Sequence, residues 1–187
     1  MSEKADNNMK NKISLFAIAL IFSLSLNAFA QQRNLSQANQ TANLHTLSGE
    51  TVSLADARGK VVVLAVGASW LPLSKQQIIT TNKLVKKYTG REVLIYWVTT
   101  ESGNAKSKNF ASNEQIQAFT AKNKLTATIL RDDDGVFTLK RYSIDQLPSF
   151  VILDKTGKQV GAPFGGLDPE NEPEVFIQIS GAIDKQL

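Results

Sequence analysis

The sequence contains no cysteine. That absence excludes disulfides, thiolate metal sites, cysteine nucleophiles and thiol redox chemistry by the chain's own side chains. For an exported chain it also removes the residue that would carry a lipid anchor, and leaves stability to the core alone. Histidine is nearly absent too, with His45 the single one. A serine nucleophile needs a neighbouring base, and His45 stands in a strand-like stretch with no evident link to any serine of interest. It reads as a surface or satisfied histidine. There is no long polar tract, which excludes wholesale disorder, and no internal repeat of solenoid or propeller period. A dense basic stripe is missing as well. The formal net charge is only +4, and within the first 30 residues Lys4, Lys10 and Lys12 already outnumber Glu3 and Asp6. The remaining clusters, Lys83, Lys86, Lys87 and Arg91, then Lys106 and Lys108, read as a solvated helix face and a loop. Nucleic-acid binding needs a denser stripe with stacking aromatics, so none is expected.

What is present begins with a leader. Met9-Lys10-Asn11-Lys12 precedes an apolar run from Ile13 to Leu26, and Ala28-Phe29-Ala30 follows. The run is about 14 residues, short of the ~20 needed to span a bilayer. Basic flank, apolar length and small-x-small ending agree on a signal peptide cleaved after Ala30. The alternatives are a buried helix, which would need a polar face and a cap, and an uncleaved anchor. Residues 1–30 are therefore expected to be extension and leader, with Met9 the working start. Residues 31–42 read as a polar, mobile segment and residues 43–187 as the folded domain. The expected location is across the inner membrane, in the periplasm.

In the mature part, Leu44 to Val52 reads as two short strands about a Ser48-Gly49 turn. Val61 to Val66 is unbroken apolar and suits a central strand covered on both faces. Gly67-Ala68-Ser69 leads into a helix with Pro72 in its first turn. Its stripe is Ser74, Ile78, Thr81, Val85 and Tyr88, and Gly90 stops it. Val93 to Val98 is a second strand and Thr100 to Phe110 a loop. Ser112 with Gln115 forms a capping box for the next helix, which carries Ile116 and Phe119. Strands are expected at Thr126 to Leu130 and Ser149 to Leu153, and a helix at Val136 to Tyr142. Lys155-Thr156-Gly157 reads as a hairpin turn with Lys158 to Ala162 as the returning strand. A last helix from Glu172 carries Val175, Phe176, Ile179, Ala182 and Ile183 on one face. The order β-α-β-α-β-α-β-β-α implies a three-layer α/β/α sandwich, a mixed central sheet with helices on both faces.

Three segments at the landmarks of that order resemble a known family. Leu54-Ala55-Asp56-Ala57-Arg58-Gly59-Lys60-Val61-Val62-Val63 comes first, then Gly67-Ala68-Ser69-Trp70. The third is the block from Asp145 through Pro148 and Phe150 to Gly157. Together they resemble the thioredoxin superfamily, in its exported TlpA/ResA-like redoxin (AhpC/TSA-type) branch. In that family Trp is followed by Cys-x-x-Cys. Here Leu71 and Ser74 stand at the two cysteine positions, with Pro72 and Leu73 between them. Pro148 matches the proline that the family holds cis beside the redox pair, so the resemblance implies a cis Leu147-Pro148 bond.

A redox thioredoxin relies on a helix N-terminus that favours thiolate, and Leu71 has no ionisable atom. No catalytic residue is therefore expected, and no cofactor. Asp132-Asp133-Asp134-Gly135 is short of a calcium loop and reads as turn and N-cap, so no metal is expected. Phe164-Gly165-Gly166 reads as the connection to the last helix. The resemblance implies a surface that takes extended polypeptide, here lined by Trp70, Leu71, Pro72, Leu73, Ser74, Leu147 and Pro148. The expected partner is a protein or peptide of the cell envelope, with no nucleic acid and no membrane span after cleavage. Two alternatives stay open: an enzyme using Ser74 or an acidic residue on the same scaffold, and an accessory to thiol-disulfide, cytochrome-maturation or antioxidant systems.

Overall fold

The structure is a computed structural model. It describes residues 44–165, 167–168 and 170–187, and Ala42–Leu187 form one compact unit. The leader, its cleavage point and the polar segment lie outside the described residues.

Six strands form one sheet in the order β2-β1-β5-β4-β3-β6. They are β1 (Leu44–Thr46), β2 (Thr51–Val52), β3 (Val61–Gly67), β4 (Val93–Thr99), β5 (Thr128–Arg131) and β6 (Ser149–Leu153). The helices are α1 (Ser74–Tyr88), α2 (Asn113–Lys122), α3 (Thr138–Arg141) and α4 (Glu172–Asp184). Strands β3, β4 and β5 run parallel. β6 lies antiparallel on β3, and β1 antiparallel on β5. The sheet is mixed, as expected from the sequence.

All seven residues of β3 are buried, because its two faces pack on different layers. Val61, Val63 and Ala65 meet Ile78 and Leu84 of α1, Ile116 of α2, and Ile179 and Ile183 of α4. Val62, Leu64 and Val66 meet Ala57, Tyr142 and Ile144. Each of the Val, Leu and Ile side chains among them contributes about 1.5–3 kcal/mol on burial. The second face is the thinner one, covered by the 3-10 turn Leu54–Ala57 and the four-residue α3. Burial there pushes the Tyr142 hydroxyl up to about 12, and its ring meets Phe137 edge-on at 5.9 Å.

Local chemistry sets the element ends. Ser112 Oγ accepts from the Gln115 amide, and Gln115 Oε1 accepts from the Ser112 amide, the reciprocal cap expected of this pair. Four boundaries differ from the sequence reading. Lys158 to Ala162 forms no strand; it meets β6 at the Leu153↔Gln159 bridge, where the Val160 amide donates to the Ile152 carbonyl, and Phe164 beyond it bridges Phe150. Gly161 at φ 68° turns the chain before a ladder can extend. β5 starts at Thr128 rather than Thr126, because the Thr126 amide and hydroxyl both donate to Asn82 Oδ1 on α1. The Val136–Tyr142 helix is α-helical only over Thr138–Arg141, preceded by a 3-10 turn at Asp133–Gly135. Pro72 lies in the turn before α1 rather than within its first turn; the Ser74 amide closes that turn on the Leu71 carbonyl.

Candidate functional site: the mouth of the first long helix

Three chain segments meet at the carboxyl end of β3. β3 ends at Gly67 and runs through Ala68 and Ser69 to Trp70, Leu71, Pro72 and Leu73, where α1 begins. β6 starts at Ser149, directly after Pro148, and pairs Ser149 with Val66. That register sets the Pro148 loop beside the strand end from which the Leu71–Ser74 turn departs. The Leu147–Pro148 bond is cis, matching the resemblance. Pro148 is buried and Leu147 half-buried.

Gln77, fully buried in the first turn of α1, fastens the three segments together. Its Nε2 donates to the Val66 carbonyl at 3.1 Å and to the Ser149 carbonyl at 2.9 Å. Its Oε1 accepts from the indole N–H of Trp97 at 3.1 Å. One neutral amide therefore ties α1, β3, β4 and the strand following Pro148. Gly67 must be glycine to permit this: a Cβ there would sit 2.5 Å from Gln77 Oε1 and 3.1 Å from Ser74 Oγ.

Ser74 is also fully buried, and its Oγ accepts from the Ala68 amide at 3.4 Å. The hydroxyl thus faces the protein rather than the mouth. His45 is on β1, where it pairs with Arg131 and lies 3.4 Å by Nδ1 from the Thr51 hydroxyl. Strands β5 and β4 separate β1 from β3, three spacings or roughly 14 Å. The structure does not bring His45 to Ser74.

Trp70 is 64% exposed, yet its position is tightly specified. Its Nε1 donates to Asn109 Oδ1 at 3.1 Å, and Asn109 Nδ2 donates to the Thr100 carbonyl at 2.7 Å. The preceding residue is held by a buried carboxylate. Glu101, 2% exposed, accepts from the Ser69 amide at 2.8 Å, from the Ser69 hydroxyl at 2.6 Å and from the Thr99 hydroxyl at 2.8 Å. Buried Arg131 braces the same loop by donating to the Glu101 carbonyl at 2.8 Å. Charge-assisted bonds of this kind are about twice as strong as neutral ones. Phe110, 42% exposed, follows Asn109 and adds a second exposed ring to this loop.

The acidic run does the work of a turn. Asp132 accepts from the Phe137 and Thr138 amides and the Thr138 hydroxyl. Asp133 accepts from the Gly103 amide and Asp134 from the Ser107 hydroxyl, so both reach back to the loop that carries Asn109. Trp97 is wholly buried, a core residue. Gly165 lies where a Cβ would be 3.1 Å from Ser149 Oγ, so the connection to α4 passes close against the start of β6.

Of the residues singled out in the sequence, Trp70, Leu71, Pro72, Leu73, Ser74, Leu147 and Pro148 sit on the two segments joined by Gln77. Sequence reasoning missed Gln77, Glu101 and Asn109. Gln77 carried a signal: a polar side chain directly beside Ile78 on the buried stripe of an amphipathic helix.

The AhpC/TSA family profile matches residues 35–160. The chain belongs to this family. Among curated relatives, the thioredoxin-like protein YneN of Bacillus subtilis is 34% identical over 119 residues, a stretch that is 62% of each chain. The thiol-disulfide oxidoreductase ResA of Bacillus cereus is 25% identical over 160 residues, 81% of this chain and 87% of ResA. Solved structures share the fold. A thiol:disulfide interchange protein DsbE from Chlorobium tepidum superposes with a TM-score of 0.60 at 24% identity, over 75% of this chain and 91% of that one. A secreted Mycobacterium tuberculosis disulfide oxidoreductase homologous to E. coli DsbE gives 0.57 at 23% identity, over 78% and 96%. ResA is named for thiol-disulfide chemistry; this member has no thiol with which to perform it.

Proposed function

We propose that this chain is a non-catalytic redoxin-family module of the cell envelope that binds an extended protein or peptide segment beside Pro148. The observation that carries the reading is the contrast between what is lost and what is kept. The redox positions hold Leu71 and a buried Ser74, while Gln77, Glu101 and Asn109 still hold the mouth in one geometry and present Trp70 to solvent. A rigid, exposed aromatic beside an apolar turn supplies contact area at small entropic cost. Export rests on the leader read in the sequence, and the periplasm is its proposed location.

Two measurements test this. Purified protein should turn over no dithiol substrate; turnover would refute the non-catalytic half. Thiol-blocked, unfolded polypeptide should bind saturably and compete with itself; absence of binding would refute the other half. A second reading draws on the thiol-disulfide oxidoreductases among the relatives: an accessory to thiol-disulfide, cytochrome-maturation or antioxidant systems, acting on a partner's thiols. Deletion would then shift the thiol state of envelope proteins, and a purely structural binder would leave it unchanged. Serine chemistry gains nothing from the geometry, since Ser74 is buried and the single histidine is strands away. A serine-directed probe should therefore leave Ser74 unlabelled.

A further inference from the structure

The end of the sheet opposite the mouth holds a second opening, made by the late start of β5. β4 lies between β3 and β5, and successive residues turn their backbone groups to its two sides alternately. Glu92 and Thr100 face β3: the Glu92 carbonyl accepts from the Val61 amide, and the Thr100 amide donates to the Gly67 carbonyl. Thr99 faces β5, and its carbonyl accepts from the Asp132 amide. By that alternation Val93 and Ile95 face the β5 side too. The β4–β5 ladder, however, begins only at Tyr96↔Thr128. Thr126, which would continue it, is held away by Asn82. Asn82 Oδ1 accepts from the Thr126 amide and hydroxyl, both at 2.9 Å, and its Nδ2 donates to the Lys124 carbonyl at 2.8 Å. The Ile95 amide and the Val93 carbonyl therefore have no partner among the described residues.

Both residues line a cleft of about 250 Å³, bounded by Val85 and Tyr88 of α1, by Arg91 and by Thr126 and Thr128. Sites that enclose a whole drug-sized ligand run to roughly 300–1,000 Å³, so this one fits the end of a molecule. Arg91 is the single charged residue in its lining. Its guanidinium makes no ion pair or hydrogen bond among the described residues. Asp184, bonded to Lys87 and Tyr88, feels it only through space.

A guanidinium, an amide donor and a carbonyl acceptor in one short cleft fit one chemistry. A carboxylate accepts from the first two, and an amide N–H beside that carboxylate donates to the third. The C-terminal residue of a polypeptide carries both groups. Thr126 in a longer β5 would have met β4 with the same pair, its amide on Val93 and its carbonyl on Ile95. A passing strand cannot take that place, because Thr128 blocks its continuation along β4; a chain that ends there can. We infer that the cleft binds the C-terminal residue of a polypeptide, laid parallel to β4. Its amide donates to the Val93 carbonyl, and its carboxylate accepts from the Ile95 amide and Arg91. The bound side chain falls on the Leu94 face of the sheet. Leu94 is half-buried there, so a small apolar residue is favoured. The mouth at Trp70 and Pro148, at the other end of the strands, stays free.

The test is an NMR titration of the full chain with an acetylated alanyl-alanyl-valine peptide, as free acid and as C-terminal amide. The free acid should shift the Ile95 amide resonance saturably and slow its hydrogen exchange. Amidation of the peptide, and separately Arg91→Gln, should each weaken binding at least tenfold. Arg91 is exposed, and an unmoved Trp70 indole resonance checks that the variant keeps its fold. No shift at Ile95 would overturn the inference, as would equal affinity for acid and amide or indifference to Arg91→Gln. Acetate binding as tightly as the peptide would overturn it too, because the Val93 carbonyl would then play no part. Shifts at the Trp70 indole in place of Ile95 would move the peptide to the mouth, contradicting this site while supporting the function proposed above.

Discussion

The two ends of α1 are held by different physics. At its C-terminal end, Tyr88 donates to the Ser180 carbonyl and to Asp184, and Lys87 pairs with Asp184 at the surface. That end docks one helix on another, and its ionic part is exposed and screened. At the N-terminal end the polar partners lie inside the protein. Gln77 and Glu101 are buried and hydrogen-bonded on every side, and the residue they leave in solvent is aromatic. A helix end meant only to pack would not need two buried polar anchors beneath an exposed tryptophan. The contrast is what supports reading the mouth, in the function proposed above, as the surface offered to a partner.

The sharpest way to break that contrast is Gln77→Leu. It leaves the Trp97 N–H without its acceptor and takes a second bond from the Val66 and Ser149 carbonyls, which are paired with one another in the sheet. The stranded indole donor costs about 1–3 kcal/mol and each lost carbonyl bond about 1 kcal/mol, so a loss of about 3 kcal/mol or more is expected in denaturant unfolding. A change under about 1 kcal/mol would show that the amide is not a structural fastener.

Next in size is Glu101→Ala, expected to cost about 2–3 kcal/mol, since charge-assisted bonds to Ser69 and Thr99 are lost together. Unlike a purely structural change, it should also free Trp70. A red-shifted, more mobile Trp70 fluorescence is expected in a Trp97→Phe background.

Replacing Leu71 and Ser74 by cysteine asks whether the scaffold is still fit for the chemistry named in its relatives. The double variant is expected to catalyse dithiol exchange where the parent has none, because a cysteine at a helix start gains thiolate character. An oxidised pair without turnover would show that the mouth has drifted further than its side chains.

The smallest effect belongs to the tail. Lys87 and then Tyr88 hold the Asp184 carboxyl below its usual range. The stabilisation is present above the unfolded carboxyl value, about 3.9, and is lost as pH falls through the lower folded value. Asp184→Asn should therefore cost under about 1 kcal/mol near neutrality. It should also flatten the acid limb of stability below about pH 4, measured by thermal unfolding across pH.

Much of this architecture was readable in the residues. The unbroken apolar run of β3, the Ser112–Gln115 cap and the stripe of α4 each carry a local pattern, and each element stands where that pattern puts it. The site positions were legible only through resemblance, because nothing local says that Pro148 will stand beside β3. The place of Gln77 on the helix stripe hinted at burial, but what it and Glu101 bind was illegible for a related reason. Their partners are 11, 72, 20 and 32 residues away, and a polar side chain looks solvent-facing until its distant partners are in place. The short β5 shows the same limit, since Thr126 is drawn off the strand by Asn82 on another helix.

The most direct trial of the central claim uses the two tryptophans. Trp97 is sealed in the core, so with it changed to Phe, emission comes from Trp70 alone. Adding unfolded polypeptide whose thiols are alkylated should shift that emission saturably, at micromolar concentrations, and Glu101→Ala should weaken the response. An unchanged spectrum up to millimolar polypeptide would contradict the account.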